Sequence, residues 1–103
     1  MSESVKIISP VDGSVYAERS VARDADIESA VSTARAALPK WRTVPVPERA
    51  RYMLAVLDAL LAMNDDIAVE LAWQMGRPIR YGGEKGGVEE RIRAMAALAE
   101  EAL

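Results

Sequence analysis

Chemistry in this polypeptide has to be built from few side-chain types, because its 103 residues include no cysteine and no histidine. Without them there is no thiolate nucleophile, no disulfide framework, no Ser-His or Cys-His pair, and none of the usual nitrogen and sulfur ligands of zinc. Nothing is poised to titrate near neutrality without a large pKa shift. Carboxylates, Lys, Arg, Tyr, Ser and Thr remain. The one run that suggests a phosphate cradle is Gly82-Gly83-Glu84-Lys85-Gly86-Gly87 ahead of a helical pattern. It lacks the Gly-Lys-Ser/Thr ending of a P-loop and the strand-fed, spaced glycines of a dinucleotide fingerprint, so it reads as a connector.

Two acidic groupings invite an acid-base or metal reading: Glu89-Glu90 beside Arg91 and Arg93, and Glu100-Glu101. Neighbours in sequence point about 100° apart on a helix, and no local apolar pocket is visible to shift their pKa values. They read as a solvated face. Trp41 and Trp73 read as packing anchors, and Tyr16, Tyr52 and Tyr81 have no visible base or partner. No catalytic, cofactor-binding or metal-binding residue is therefore assigned.

The elements that would position any site follow from turn signals and periodicity. Val5 to Ser9 is a β-branched run, Pro10-Val11-Asp12-Gly13 can reverse the chain, and Val15, Ala17 and Val21 alternate with polar residues, which predicts a hairpin. Asp24 is placed to cap a first helix carrying Ile27, Ala30, Val31, Ala34 and Leu38 on one stripe, with Pro39 and Trp41 marking its end. A second helix starts around Pro47-Glu48, turns Ala50, Met53, Leu54, Leu57, Leu60 and Leu61 inward, and leaves Arg49, Arg51 and Asp58 to solvent. Asn64-Asp65-Asp66 can end it and cap a third helix, whose inward residues are Ile67, Ala68, Leu71, Ala72 and Met75 and whose stop is Gly76 followed by Pro78. Ile79 to Gly87 is expected to be a loop, and a fourth helix with Val88, Ile92, Met95 and Ala99 on its stripe is still running at Leu103 without a cap.

The predicted class is mainly α with a short N-terminal β-hairpin: a hairpin arm over residues 1–22 and a helical segment over 23–103. Half the residues are apolar and 28% are charged, a balance that predicts a folded core. A net charge of −3 supplies no basic field for nucleic acid. No apolar run approaches membrane-spanning length and no targeting segment is visible, so the expectation is a cytoplasmic chain with neither nucleic acid nor membrane as partner.

Taken in order, the motifs resemble the opening of an NAD(P)-dependent aldehyde dehydrogenase. Ser9-Pro10-Val11-Asp12-Gly13 is similar to that family's Asn-Pro-x-Thr/Asp-Gly turn, with serine in place of asparagine. Asp26-Ile27, Ala30-Val31, Ala34 and Ala37 match its first helix, and Trp41, the Pro45-to-Arg49 stretch and Met75-Gly76-Arg77-Pro78 match the tryptophan, helix start and turn that follow. The glycine-rich stretch after Pro78 departs from the more helical, alanine-rich sequence of many relatives. The resemblance implies the helical N-terminal part of an aldehyde dehydrogenase α/β fold, cut before the cofactor-binding sheet, since the family's catalytic cysteine, general-base glutamate and cofactor-binding residues lie downstream. It implies a scaffold role: no cofactor bound by this chain, NAD or NADP in the parent protein, no activity in the segment alone, and as partners the remainder of the dehydrogenase and further copies in a homo-oligomer. The parent reaction would oxidise an aldehyde through a cysteine thioester. The alternative from residues alone is a self-sufficient helical interaction module that binds through an apolar face.

Overall fold

A computed structural model describes residues 3–103. Strands β1 (Ser4–Ile8) and β2 (Val15–Ser20) pair antiparallel, followed by helices α1 (Asp24–Arg42), α2 (Val46–Ala62), α3 (Asn64–Met75) and α4 (Lys85–Ala102), with a single 3-10 turn at Ile79–Tyr81. This is the expected hairpin and helical segment.

The hairpin turn is closed by its own backbone and short side chains. Ser9 N–H donates to Ser14 O and Gly13 N–H to Ser9 O, each at 2.9 Å, while Gly13 takes φ 76°. The Asp12 carboxylate accepts from the Ser14 hydroxyl at 2.6 Å and from the Ser14 amide at 2.9 Å, and these bonds hold its pKa below the ordinary carboxylate value. Ser9 is fully buried, and its hydroxyl accepts from the Val11 amide at 3.2 Å. An asparagine carbonyl makes the same two-residue loop, which is why serine can stand in its place.

Register slips between Ile7, opposite Ala17, and Ile8, opposite Val15, so that Tyr16 is the extra residue of a bulge. A bulge re-aims the side chain it releases. Here the Tyr16 ring lies parallel to Trp73 of α3, with centroids 6.3 Å apart. At the same C-terminal end of α3, Gly76 closes the helix at φ 75°, and a Cβ added there would meet Pro10 Cγ at 3.1 Å. The hairpin is thus held along α3 by a stacked aromatic pair and a close glycine–proline approach.

Several boundaries differ from expectation. The first helix is capped from Arg23: the Asp26 carboxylate accepts from the Arg23 backbone amide and pairs with its guanidinium, both at 3.0 Å, leaving Asp24 as the first helical residue. That helix runs through Pro39 to Arg42. Asn64 is the first residue of α3 rather than a side-chain cap, and its Oδ1 is buried without a hydrogen-bond partner. The glycine-rich segment is shorter than predicted, because Ile79–Tyr81 forms a 3-10 turn and α4 already includes Gly86 and Gly87. Both lie in a first turn, where amides have no intrahelical partner to lose.

The core sits where α2 lies along α4 and touches α3. Leu57 is its fully enclosed member, Ala68 is also buried, and Leu54, Leu60, Leu61, Ile67, Leu71, Ile92 and Ala96 are half-buried. The methionines predicted inward do not pack: Met53, Met75 and Met95 are exposed. So is the entire stripe of α1, including Ile27, Val31 and Leu38. Periodicity places these residues on apolar stripes, but their side chains face solvent in this structure.

The shape reflects this. The radius of gyration is 18.2 Å, against about 13 Å for a compact domain of this length. Accessible surface is 8192 Å², roughly 2,500 Å² more than the approximately 5,700 Å² expected of a compact chain of this mass.

Candidate functional site

The glycine-rich segment folds back on the start of α3. A Cβ on Gly83 would meet Asn64 Oδ1 at 2.7 Å and the Asn64 carbonyl at 2.9 Å, so glycine is needed there for close approach. Arg77 clamps the fold-back by donating to Glu84 Oε1 at 2.6 Å. An incoming anion at this end of α4 would meet the Glu84 carboxylate first. The segment is a latched connector.

The acidic groupings separate in the same way. Glu89 pairs with Arg93 one turn later at 3.0 Å on an exposed face, and Glu90, Glu100 and Glu101 are exposed. Among the described residues, no three carboxylates cluster closely enough to hold a metal ion. The tyrosines do have partners, contrary to the sequence reading. Tyr16 stacks on Trp73, and the Glu70 carboxylate beside its hydroxyl raises the pKa of the phenol while the phenol lowers that of the carboxylate. Tyr52 meets Trp41 edge to face, centroids 5.6 Å apart, tying the end of α1 to α2. Tyr81 lies under the Arg80 guanidinium, 5.0 Å from its ring centroid.

An apolar groove of about 400 Å³ runs between α2 and α4. Trp41, Val46 and Met53 form one wall, and Ile92, Met95 and Ala99 the other. Arg49 and Arg91 are the charged residues that line it, and Arg49 Nε is buried with no hydrogen-bond partner. Sequence reasoning sent Arg49 to the solvent side; the signal available was its place at the end of the Pro45-to-Arg49 motif. The groove contains no nucleophile and no acid-base pair, so what it can offer is apolar contact and two guanidinium groups. It can bind; it cannot carry out acyl or hydride chemistry.

The comparison with known proteins turns on extent: the model of the aldehyde dehydrogenase family matches residues 1–103. The chain belongs to that family. It is 36% identical over 82 residues to malonate-semialdehyde dehydrogenase 2 of Shouchella clausii, covering 78% of this chain and 17% of that protein. It is 33% identical over 72 residues to an aldehyde dehydrogenase of Deinococcus radiodurans, covering 70% of this chain and 14% of that protein. To malonate-semialdehyde dehydrogenase 1 of Geobacillus kaustophilus it is 29% identical over 90 residues, covering 85% of this chain and 18% of the relative. The chain thus spans less than a fifth of the length of these curated relatives. No solved structure matches it. As the N-terminal helical part of an aldehyde dehydrogenase fold, it has its turn, its first helix and its Met75-Gly76-Arg77-Pro78 stop where the family resemblance places them. No helix among the described residues is long and apolar enough to cross a membrane.

Proposed function

We infer that this segment is a scaffold of an aldehyde dehydrogenase, which shapes and steadies the enzyme without touching the reacting atoms. The parent reaction is NAD(P)+-dependent oxidation of an aldehyde to a carboxylic acid: attack by a cysteine, hydride transfer to the nicotinamide, then hydrolysis of the thioester. The observation that carries the scaffold role is the pairing of whole-chain family membership with a chain that contains no cysteine and no histidine. The exposed stripes of α1, α2 and α4 support the same reading, since an excess of roughly 2,500 Å² of surface over a compact chain is what a segment presents when its packing partner is another body. That partner is the remainder of the dehydrogenase, in the cytoplasm.

Two measurements test this. Titration calorimetry of the 103-residue chain with NAD+ and with NADP+ should give no binding heat, and micromolar binding competed by nucleotide would overturn the reading. A chimera in which this chain replaces the matching N-terminal segment of the Shouchella clausii relative should form reduced cofactor when given an aldehyde. A chimera that folds and binds cofactor but has lost turnover would place reacting groups in the segment and refute a scaffold role.

A further inference from the structure

We propose that Arg49 is the polar anchor of this segment on the rest of the dehydrogenase, its guanidinium taking a carboxylate that the remainder delivers into the groove between α2 and α4. The inference rests on the scaffold reading and names one group that the other body brings. Its starting point is local. Arg49 lies at the start of α2 and is half-buried, with Nε enclosed and without a hydrogen-bond partner. Covering one edge of a guanidinium strips water from a charge that cannot deprotonate, which is unfavourable unless a counter-charge meets the rest of the fork. Arg49 belongs to none of the ion pairs formed among the described residues. It lines the groove, as does Arg91 of α4, and no carboxylate lines it with them.

The segment's own acids on these two helices are turned elsewhere. Glu48, the neighbour in sequence, lines a separate hollow with Arg51 and Tyr52. Glu89 pairs with Arg93 at 3.0 Å, and Glu100 lines a third hollow with Arg93. The counter-charge therefore comes from outside the segment. A chain that covers 17% of the Shouchella clausii relative leaves most of such a protein to supply it. The groove walls say how it arrives: Trp41 and Met53 on one side and Ile92 and Met95 on the other suit a side chain carried in on a packed protein surface, not a hydrated free ion. Because Nε is enclosed, the carboxylate approaches through the terminal Nη1 and Nη2. A pair of this kind in a water-excluding groove is directional as well as strong. It would fix the register of α2 on the other body, which apolar contact alone leaves free to slide.

The test uses the chimera in which this chain replaces the matching segment of the Shouchella clausii relative, and it reads structure and stability. Loss of turnover in a folded chimera would refute the scaffold role and leave these readouts untouched, so the two failures are distinct. A crystal structure of the chimera should place a carboxylate oxygen of the remainder about 2.8 Å from Arg49 Nη1 or Nη2. Arg49→Met, which keeps the apolar stem, should lower the chimera's urea midpoint by at least about 0.5 M, because it strands that carboxylate. Arg51→Met, at an exposed position, should leave the midpoint in place. In the 103-residue chain alone, with no counter-charge to strand, Arg49→Met should leave the midpoint unchanged or raise it. An equal loss in chain and chimera would overturn the proposal by showing that Arg49 serves within the segment. A backbone carbonyl or a small anion on the guanidinium would overturn it too, the latter by making the groove a ligand site.

Discussion

Replacing Leu57 by alanine tests the core most directly. Leu57 is the one large apolar side chain with no exposure, on the helix that touches both α3 and α4. Leu→Ala removes the equivalent of roughly three methylenes, and at about 0.8 kcal/mol each the lost transfer term is about 2.4 kcal/mol. A rigid cavity would add to this and carry the total to about 5 kcal/mol. The surroundings argue against the full addition: Leu54, Leu60 and Leu61 are only half-buried and can relax toward the gap. The expected loss is therefore about 2.5–3.5 kcal/mol. Urea denaturation followed by far-ultraviolet circular dichroism measures it, with Arg51→Ala, at an exposed position, expected to lose under about 0.5 kcal/mol. Equal small losses for both would show that α2 does not pack through Leu57, and the fold described above would be wrong at its centre.

Three further outcomes follow from local geometry. Gly76→Ala should destabilise by about 1–2 kcal/mol, because it strains a left-handed residue and brings a Cβ to 3.1 Å from Pro10 Cγ, and the shift of the urea denaturation midpoint measures it. Gly83→Ala should lose roughly 1–3 kcal/mol against the Asn64 carbonyl, whereas Gly86→Ala, open and helical, should gain up to about 1 kcal/mol in the same assay. In a spectrophotometric titration Tyr16 should ionise above the ordinary 10.0, since the Glu70 carboxylate beside its hydroxyl favours the neutral phenol. Because the folded value is raised, this link stabilises fully below pH 10 and is lost as pH rises through the folded pKa. Glu70→Gln should bring that tyrosine down, and an unchanged curve would refute the contact.

The order of elements was legible in the sequence because each rests on a local cause. Gly76 at φ 75° stops α3, Gly13 turns the hairpin, and the stripes of α2 and α3 choose their faces by spacing. What was not legible depends on residues far apart in the chain. The bulge that frees Tyr16 shows only when β1 and β2 are paired, and its meeting with Trp73 and Glu70 requires the hairpin to lie along α3. The start of the first helix differs for a local reason: Asp24 is a credible cap by residue type, but the bonds between Arg23 and Asp26 put the N-cap at Arg23, one residue earlier. The groups of glutamates and arginines read as a solvated face, and the i, i+4 pairing of Glu89 with Arg93 is the local geometry behind that reading.

The methionines show most clearly where periodicity stops being informative. Met53, Met75 and Met95 each hold a correct position on an apolar stripe, and each is exposed. A stripe wider than one neighbour can cover has an inner part that packs and an outer part that does not: on α4, Val88, Ile92, Ala96 and Ala99 are half-buried while Met95 and Leu98 face outward. Spacing fixes the direction of the stripe; the number of neighbours fixes how much of it is buried. Among the described residues α2 packs mainly on α4, with narrower contacts to α3 and to Trp41 of α1, so the outer residues line a groove instead of a core. Flexible, polarizable methionines suit a surface that another body must fit. The outer stripe residues of α2 and α4, together with the whole stripe of α1, make up the exposed apolar surface on which the proposed scaffold role rests.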